Sequence, residues 1–227
     1  MNRHLKVTRM SNSSWFKLDI DHMIIHFDPG YGGFYENQGF KESDMGKADY
    51  IFISHEHKDH MRMEAIEKLY DKHTKMIVSK SCEKELMLPH HVILPNEKMD
   101  FGSFYVETIY AYNTESGHST KKYHPKDTYL GFIFSFGNLR IYFAGDTDVT
   151  DEMKALKDID IAFLPIGGTY VMDLSEAVLA AKTIKPTYAI PMHQATTNLE
   201  DFKELLSIDS DIETIILHPG ESKLVEI

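Results

Sequence analysis

The segment Ser54 to His60 carries the side chains in this sequence that most clearly point to chemistry. It contains H-x-H-x-D-H, in which His55, His57, Asp59 and His60 are four candidate metal ligands within six residues. Imidazoles and a carboxylate packed together lose their hydration and repel one another unless something positive binds them. This spacing therefore indicates a metal site more strongly than it indicates a solvated loop.

Two later segments each place one ligand-type residue just after an apolar run. Asp146 follows LRIYFAG, and His193 follows TYAIPM. Taken singly, such an Asp is usually a helix N-cap, and such a His is usually a hydrogen-bonded polar residue. Together with H-x-H-x-D-H, they indicate one site at the carboxyl ends of several strands, where α/β-type sheets bind their ligands.

Alternating strand and helix patterns must position these side chains. Residues 50–54 (YIFIS) form a short apolar run, typical of a strand that is covered on both faces. The composition of residues 59–72 predicts a helix with Asp59 near its N-terminus. The runs WFKLDI and MIIHFDP predict a hairpin that turns at Asp21 and His22.

The second half of the chain has regular strand and helix signals. Asp173 with Glu176, and Thr197 with Glu200, have the spacing of capping boxes and predict the starts of two helices. The sequence shows no internal repeat, low-complexity tract or linker. We therefore expect one domain over residues 1–227, β-rich at first and then built from βα units.

Composition narrows the class of protein. The chain has 227 residues, of which 42% are hydrophobic and 26% charged, as in globular proteins. The net charge of −11 argues against non-specific nucleic-acid binding. The single cysteine, Cys82, cannot form an internal disulfide, and no signal peptide or membrane span is evident. These features predict a cytoplasmic protein; a homo-oligomer is left open.

The sequence resembles the metallo-β-lactamase-fold metal-dependent hydrolases. The similarity is to their short single-domain members, such as L-ascorbate-6-phosphate lactonase and N-acyl phosphatidylethanolamine phospholipase D. It spans nearly the whole chain. The matching segments are HFDP (26–29), SHEHKDH (54–60), AGDT (144–147), LPIGG (164–168), MDLSEA (172–177) and IPMH (190–193).

This resemblance implies an α+β fold, a four-layer αββα sandwich, with a dinuclear metal site. It assigns His55 and His57 to one metal, and Asp59, His60 and His193 to the second. It makes Asp146 the carboxylate that bridges both ions. It also makes Asp28 an acidic residue behind the site that orients a ligand imidazole.

The third histidine of the first metal is ambiguous at the level of sequence. Two candidates, His118 and His124, lie between H-x-H-x-D-H and AGDT. We favour His124, because Tyr112 and Asn113, followed by His124-Pro125-Lys126, look like the corresponding stretch of related proteins. His118 with Ser119 mimics a His-Ser pair found in other branches.

Such a ligand set predicts a hydrolase. Nitrogen and oxygen donors suit two Zn²⁺ ions, with Mn²⁺, Fe²⁺ or Ni²⁺ as alternatives. A metal-bridging hydroxide would attack a small, anionic ester, lactone or phosphodiester, with Asp59 and Asp146 as the catalytic carboxylates. The loop from Tyr31 to Phe40 is a candidate wall of the substrate site. Lys121 and Lys122 are candidate anion contacts, although a solvated loop explains all three features equally well.

Two other functions occur on the same fold. Diiron redox proteins usually carry H-x-E-x-D and a flavin partner domain, whereas position 57 here is histidine. Nucleic-acid processing normally needs an inserted domain or a basic surface, and the acidic sequence shows neither. We therefore expect a small-molecule substrate and no nucleic-acid partner.

Overall fold

The computed structural model describes residues 4–33 and 42–226. The chain divides into two compact units, Met1–Ile93 with Leu217–Ile227 and Leu94–Ile216. Each unit holds one seven-stranded mixed sheet. Most of the predicted wall, residues 34–40, lies outside the described residues. The assignment of one domain over residues 1–227 stays a prediction.

The first unit is built on a sheet with the strand order β14-β1-β2-β3-β4-β5-β6. Neighbouring strands are antiparallel from β14 to β3 and parallel from β3 to β6. Its strands are β1 (His4–Arg9), β2 (Phe16–Ile20), β3 (Met23–Phe27), β4 (Tyr50–Ile53), β5 (Lys75–Ser79), β6 (His91–Ile93) and β14 (Ser222–Glu226).

The predicted hairpin is confirmed as β2 and β3. Ile20 pairs with Met23, which leaves Asp21 and His22 as a two-residue turn. Both turn residues have positive φ, 49° and 69°. This conformation matches the right-handed twist of the flanking strands, and Asp and His accept it more readily than most residues do.

The predicted strand over residues 50–54 is confirmed as β4, but the helix start after it is wrong. Helix α1 spans Met63–Leu69, not residues 59–72. The amides of His60 and Met61 both donate to the carbonyl of His57, at 2.8 and 2.7 Å, so Asp59 lies in a tight turn. Tertiary contacts of the His60 side chain hold this turn and override the helical composition.

One buried cluster fixes both ends of the segment between β4 and α1. Ile51 and Ile53 of β4 and Ala65, Ile66 and Leu69 of α1 belong to the same hydrophobic core. Since both flanking elements are anchored in this core, the seven residues of S-H-E-H-K-D-H are held at their two ends.

The second unit has a sheet with the order β13-β12-β11-β10-β9-β8-β7. It is antiparallel from β7 to β10 and parallel from β10 to β13. Its strands are β7 (Lys98–Asp100), β8 (Tyr105–Tyr110), β9 (Leu130–Phe136), β10 (Leu139–Phe143), β11 (Ile161–Pro165), β12 (Tyr188–Met192) and β13 (Glu213–Thr214). Its helices are α2 (Asp151–Lys154), α3 (Leu174–Ile184) and α4 (Leu199–Ser207).

One of the two predicted helix caps is correct. The side chain of Asp173 accepts a hydrogen bond from the amide of Glu176 and caps α3. Helix α4 is capped by Asn198, not Thr197, because the Asn198 side chain accepts from the amide of Glu200. No helix in residues 4–33 and 42–226 combines the length and the hydropathy needed to cross a bilayer.

Candidate metal centre

In the first unit, the buried carboxylate of Asp28 organises the candidate ligands. Asp28 follows β3 with a left-handed φ of 43°, and its amide donates to the carbonyl of Phe52 at 2.9 Å. Its Oδ1 accepts from the Ser54 amide at 2.7 Å. Its Oδ2 accepts from Ser54 Oγ at 2.6 Å and from His60 Nδ1 at 2.7 Å. Asp28 therefore contacts an imidazole, as the family resemblance implies.

These hydrogen bonds determine which nitrogen of each imidazole carries the proton. His60 Nδ1–H donates to Asp28, so the lone pair of His60 is on Nε2. Ser54 Oγ gives its own hydrogen to Asp28 and lies 2.9 Å from His55 Nδ1, from which its oxygen can accept. His55 therefore also presents Nε2 as its lone-pair atom, and Asp28 orients both rings, one directly and one through Ser54.

The four side chains form two donor pairs. His55 Nε2 lies 3.1 Å from His57 Nδ1, and His60 Nε2 lies 3.7 Å from Asp59 Oδ2. Two ligands of one tetrahedral ion, each about 2.1 Å from it, are separated by about 3.4 Å. One spacing is slightly shorter than this value and the other slightly longer, so each pair could bind one metal ion.

Electrostatics explains why Asp28 needs its donors. Burial raises the pKa of Asp28, and the contacts with His60 and Ser54 oppose that rise by favouring the carboxylate. An uncompensated buried carboxylate would be costly. The hydrogen bonds from Ser54 and His60 therefore offset the cost of burying the Asp28 carboxylate behind the imidazoles.

Gly30 allows the His57–His60 turn to lie directly on the segment that follows β3. A Cβ atom at position 30 would come within 3.0 Å of main-chain atoms of Asp59 and His60. Because those atoms are backbone, they cannot move aside as a flexible side chain would. Glycine at this position therefore permits the main chain of Asp59 and His60 to lie against the residues that follow β3.

In the second unit, Asp146 is the point on which two imidazoles converge. It follows β10 after Gly145, which has a φ of 64°, and its side chain is buried. Its Oδ2 lies 3.4 Å from His124 Nε2 and 3.4 Å from His193 Nε2. Both distances equal the separation of about 3.4 Å between two ligands of one tetrahedral ion.

Main-chain and amide groups orient His124. Its Nδ1 lies 3.0 Å from the carbonyl of Tyr170 and 3.1 Å from Asn113 Oδ1. A carbonyl oxygen can only accept, so Nδ1 carries the hydrogen and Nε2 presents its lone pair toward Asp146. Asn113 also donates through Nδ2 to the carbonyl of Tyr170 at 2.8 Å, which ties the two groups together.

His193 is placed by a left-handed turn directly after β12. Its φ is 48°, an uncommon conformation for a residue other than glycine. Gly167 makes room for this turn, because a Cβ there would come within 3.0 Å of the carbonyl oxygen of His193. The LPIGG segment therefore contributes to the site by letting its backbone pack closely against that of His193.

His118 lies in a different environment from His124. Its side chain is 52% exposed, and its Nδ1 is 2.9 Å from Asp173 Oδ2 at the start of α3. His124, in contrast, is buried beside Asp146. This difference favours His124 as the candidate ligand.

The two lysines that were candidate anion contacts are also placed differently. Lys122 Nζ lies within hydrogen-bond distance of the Gly117 carbonyl, Ser119 Oγ and Asp148 Oδ2. It therefore binds its own loop. Lys121 Nζ lies over the Tyr170 ring, 5.3 Å from its centroid, and is exposed.

Sequence reasoning missed two groups that orient the candidate ligands. The hydroxyl of Ser54 links His55 to Asp28, and the main-chain carbonyl of Tyr170 fixes His124. Ser54 precedes the motif directly, so its position could have signalled a role. A carbonyl is common to every residue and has no signal in the sequence.

Comparisons with known proteins place this chain in a family. The model of the beta-lactamase superfamily domain matches residues 6–193. A UPF0173 metal-dependent hydrolase of Staphylothermus marinus is 34% identical over 184 residues, 78% of each chain. One from Desulforamulus reducens is 32% identical over 234 residues, 96% of this chain and 98% of its own. The chain belongs to the UPF0173 metal-dependent hydrolase family of the beta-lactamase superfamily.

Solved structures support the same fold class. A crystal structure from Parabacteroides distasonis has a TM-score of 0.84 at 33% identity and covers 96% of this chain and 94% of its own. A metallo hydrolase from Ignicoccus hospitalis has a TM-score of 0.81 at 24% identity over 99% of both chains, which shows the fold alone. The predicted metallo-β-lactamase-type fold is confirmed by the family model and the first of these structures.

Proposed function

We propose that this protein is a metal-dependent hydrolase that binds two divalent metal ions and acts on a small, anionic ester, lactone or phosphodiester. The family supports the metal-dependent hydrolase class. The metal count, the ligands and the substrate class belong to the proposal. Its proposed ligands, taken from the family resemblance, are His55, His57 and His124 for the first ion, Asp59, His60 and His193 for the second, and Asp146 for both.

The observation that carries this proposal is the position of Asp146. A single carboxylate oxygen, Oδ2, lies at the same 3.4 Å from the Nε2 atoms of His124 and His193. A carboxylate that served only as a helix cap would have no need of two imidazoles facing the same oxygen. A carboxylate that would be a ligand of both proposed ions accounts for this arrangement.

The donor set fits metal ions. His55, His60 and His124 each have an Nδ1–H that is engaged by an oxygen acceptor, which leaves Nε2 as the lone-pair atom. Neutral imidazoles oriented in this way are the usual nitrogen ligands of divalent metals. With carboxylates and no thiolate in the set, Zn²⁺, Mn²⁺, Fe²⁺ and Ni²⁺ all fit, and we propose Zn²⁺.

The proposed reaction gives different roles to Asp59, Asp28 and Ser54. When bound, the ions would supply Lewis acidity and a water acidified enough to serve as a nucleophile near neutral pH. Asp59, whose side chain is 33% exposed, is the carboxylate that we propose takes up the proton of the reacting water. Asp28 and Ser54 hold the rings of His55 and His60 in place.

The substrate class rests on charge. Two divalent ions outweigh the two proposed ligand carboxylates, so the proposed centre is positive in an otherwise acidic protein and favours anions. Lys122 is bound within its own loop, whereas the exposed Lys121 remains a candidate contact for an anionic group. We also propose a cytoplasmic location, because a free cysteine such as Cys82 suits a reducing compartment.

Metal analysis tests the proposal. Full-length protein purified without chelator, and protein reconstituted with Zn²⁺, Mn²⁺ or Ni²⁺, are expected to contain two equivalents per chain. The same samples are assayed on generic esters, lactones and phosphodiesters. His124→Ala is analysed in parallel and is expected to bind less metal. His118→Ala is its matched control, since it removes an exposed histidine from the same loop. Reconstituted protein with no bound metal would refute the proposed function.

A further inference from the structure

Asp148 is a fully buried carboxylate that gathers one long loop. It lies two residues after Asp146 and has no exposed surface. Its Oδ2 accepts from the Thr114 amide at 2.9 Å, from Ser119 Oγ at 2.8 Å and from Lys122 Nζ at 3.0 Å. Three donors spread over nine residues of the loop thus converge on a single oxygen.

The loop is built to approach this carboxylate closely. A Cβ at Gly117 would lie within 3.0 Å of the carboxylate atoms of Asp148. Lys122 Nζ also bonds to the carbonyl of Gly117 at 2.7 Å and to Ser119 Oγ at 2.9 Å. The amide of Asp148 in turn donates to the carbonyl of Tyr112 at 3.0 Å, so the start of the loop is held as well.

Stability alone does not account for such a residue. Oδ1 of Asp148 is buried and accepts no hydrogen bond from the described residues. Burial of a carboxylate with one oxygen unsatisfied is costly, because the hydration that the oxygen loses is not replaced by a hydrogen bond. A charged side chain at position 148 is explained if the position of the loop that it holds is needed for function.

We propose that Asp148 is a positioning residue that holds the segment 112–124 so that His124 Nε2 stays beside Asp146. The contacts run from the strand end that carries Asp146 to Lys122, two residues before His124. Asp148 acts through the loop and is not itself a metal ligand. This inference rests on the proposed function, because the role of His124 is to bind metal.

The test compares the metal affinity of full-length wild type, Asp148→Asn and His118→Ala by titration of metal-free protein against a fluorescent chelator with Zn²⁺. Asp148→Asn keeps the size of the side chain and loses the charge that holds Lys122. We expect one of the two ions to bind about 10–100-fold more weakly, the range for residues that orient metal ligands. The other ion and the His118→Ala control are expected to keep wild-type affinity.

A conservative pair separates positioning from general stability. Lys122→Gln is expected to weaken the same ion, and Lys122→Arg, which keeps the cation, to restore binding toward wild type. Hydrogen exchange of residues 112–124 is expected to rise in Asp148→Asn and Lys122→Gln. If Asp148→Asn does not fold, the double variant Lys122→Gln with Ser119→Ala takes its place. It removes two of the side-chain donors to Asp148, and the same titration is expected to show weaker binding of the same ion.

The outcomes distinguish this inference from the proposed function. Wild type that binds no metal would overturn the proposed function. Wild type with two ions and folded loop variants with unchanged affinity for both would overturn only the positioning role. Equal weakening of both ions in every loop variant would also overturn it, since that pattern indicates a general loss of structure.

Discussion

The two units present their candidate ligands in contrasting ways. In the first unit, four donors lie within six residues after one strand, and one buried carboxylate, Asp28, orients two of the rings. In the second, three donors come from segments far apart in sequence, and a main-chain carbonyl and a long loop hold His124. The first set is a local motif, whereas the second depends on tertiary structure. Substitutions should therefore affect the two sets differently.

The largest effect is expected at Asp146. Asp146→Asn removes the charge shared between the proposed ions, and two divalent cations would then face each other without a common anion. Activity should fall by more than ~100-fold and metal content to one ion or less, a larger loss than that from residues that only orient ligands. His193→Ala, which affects one ion, should keep the first metal and some turnover. Metal analysis with a rate assay decides, and an Asp146→Asn protein with two ions and a near-normal rate would rule out the bridge.

His124 should matter more than His118. His124→Ala removes a buried imidazole beside Asp146, and metal affinity or activity is expected to fall by at least about 10–100-fold. His118→Ala removes an exposed ring that contacts Asp173, so its effect should be small. The measurement is metal content and turnover of both variants. The reverse order would transfer the ligand role to His118.

In the first unit, a single backbone contact should have a large effect on folding. Gly30→Ala places a methyl group against the main chain of Asp59 and His60, and we expect a loss of about 3 kcal/mol in the free energy of unfolding. Gly32→Ala is the matched control, since a Cβ there would have no atom of the described residues within 4 Å. Urea unfolding of both variants measures the difference, and equal midpoints would show that the turn can shift.

A smaller effect is expected from acid, through His26. Trp15 Nε1 donates to His26 Nδ1 at 2.9 Å, so protonation of that nitrogen would break the bond. Burial, followed by the charge of Lys17, lowers the pKa of His26 from 6.5 to about 3. The unfolded state therefore binds more protons between these values, and stability falls as the pH drops below 6.5, by about 2 kcal/mol at pH 5. Urea unfolding followed by circular dichroism measures this slope.

The matched variant for the acid effect is His26→Asn. Asn retains an acceptor for Trp15 and cannot titrate, so its unfolding free energy should depend less on pH between 6.5 and 4. Its stability at pH 7.5 will be lower than that of wild type, and only the slopes are compared. Identical slopes would show that other groups cause the acid sensitivity.

The same contrast explains what the sequence could reveal. His55, His57, Asp59 and His60 stand together, and residue types alone predict them as ligands. Residue patterns also predict the hairpin and β4, which the structure confirms. The roles of Asp146, His193 and His124 came from a family resemblance, because each is an ordinary residue in its own segment. The ligand assignments of all seven stay predictions.

The remaining misses have physical causes. The start of α1 was misplaced because the His57–His60 turn is held by Asp28 and Gly30, which lie about thirty residues earlier. Asn198 replaced Thr197 as the cap of α4 because the two neighbours are both good caps and backbone geometry chooses between them. Short edge elements such as β7 have too few residues for a period to be recognised.

The hydrogen bond between Trp15 and His26 has a practical consequence for spectroscopy. The chain has one tryptophan, and its buried indole lies in the first unit, stacked on Tyr31. Tryptophan fluorescence therefore reports on that unit, while residues 94–216 contribute no indole emission. Protonated imidazole quenches a neighbouring indole, so the emission intensity should also record the titration of His26. A fluorescence melt compared with a circular dichroism melt can thus reveal whether the two units unfold together.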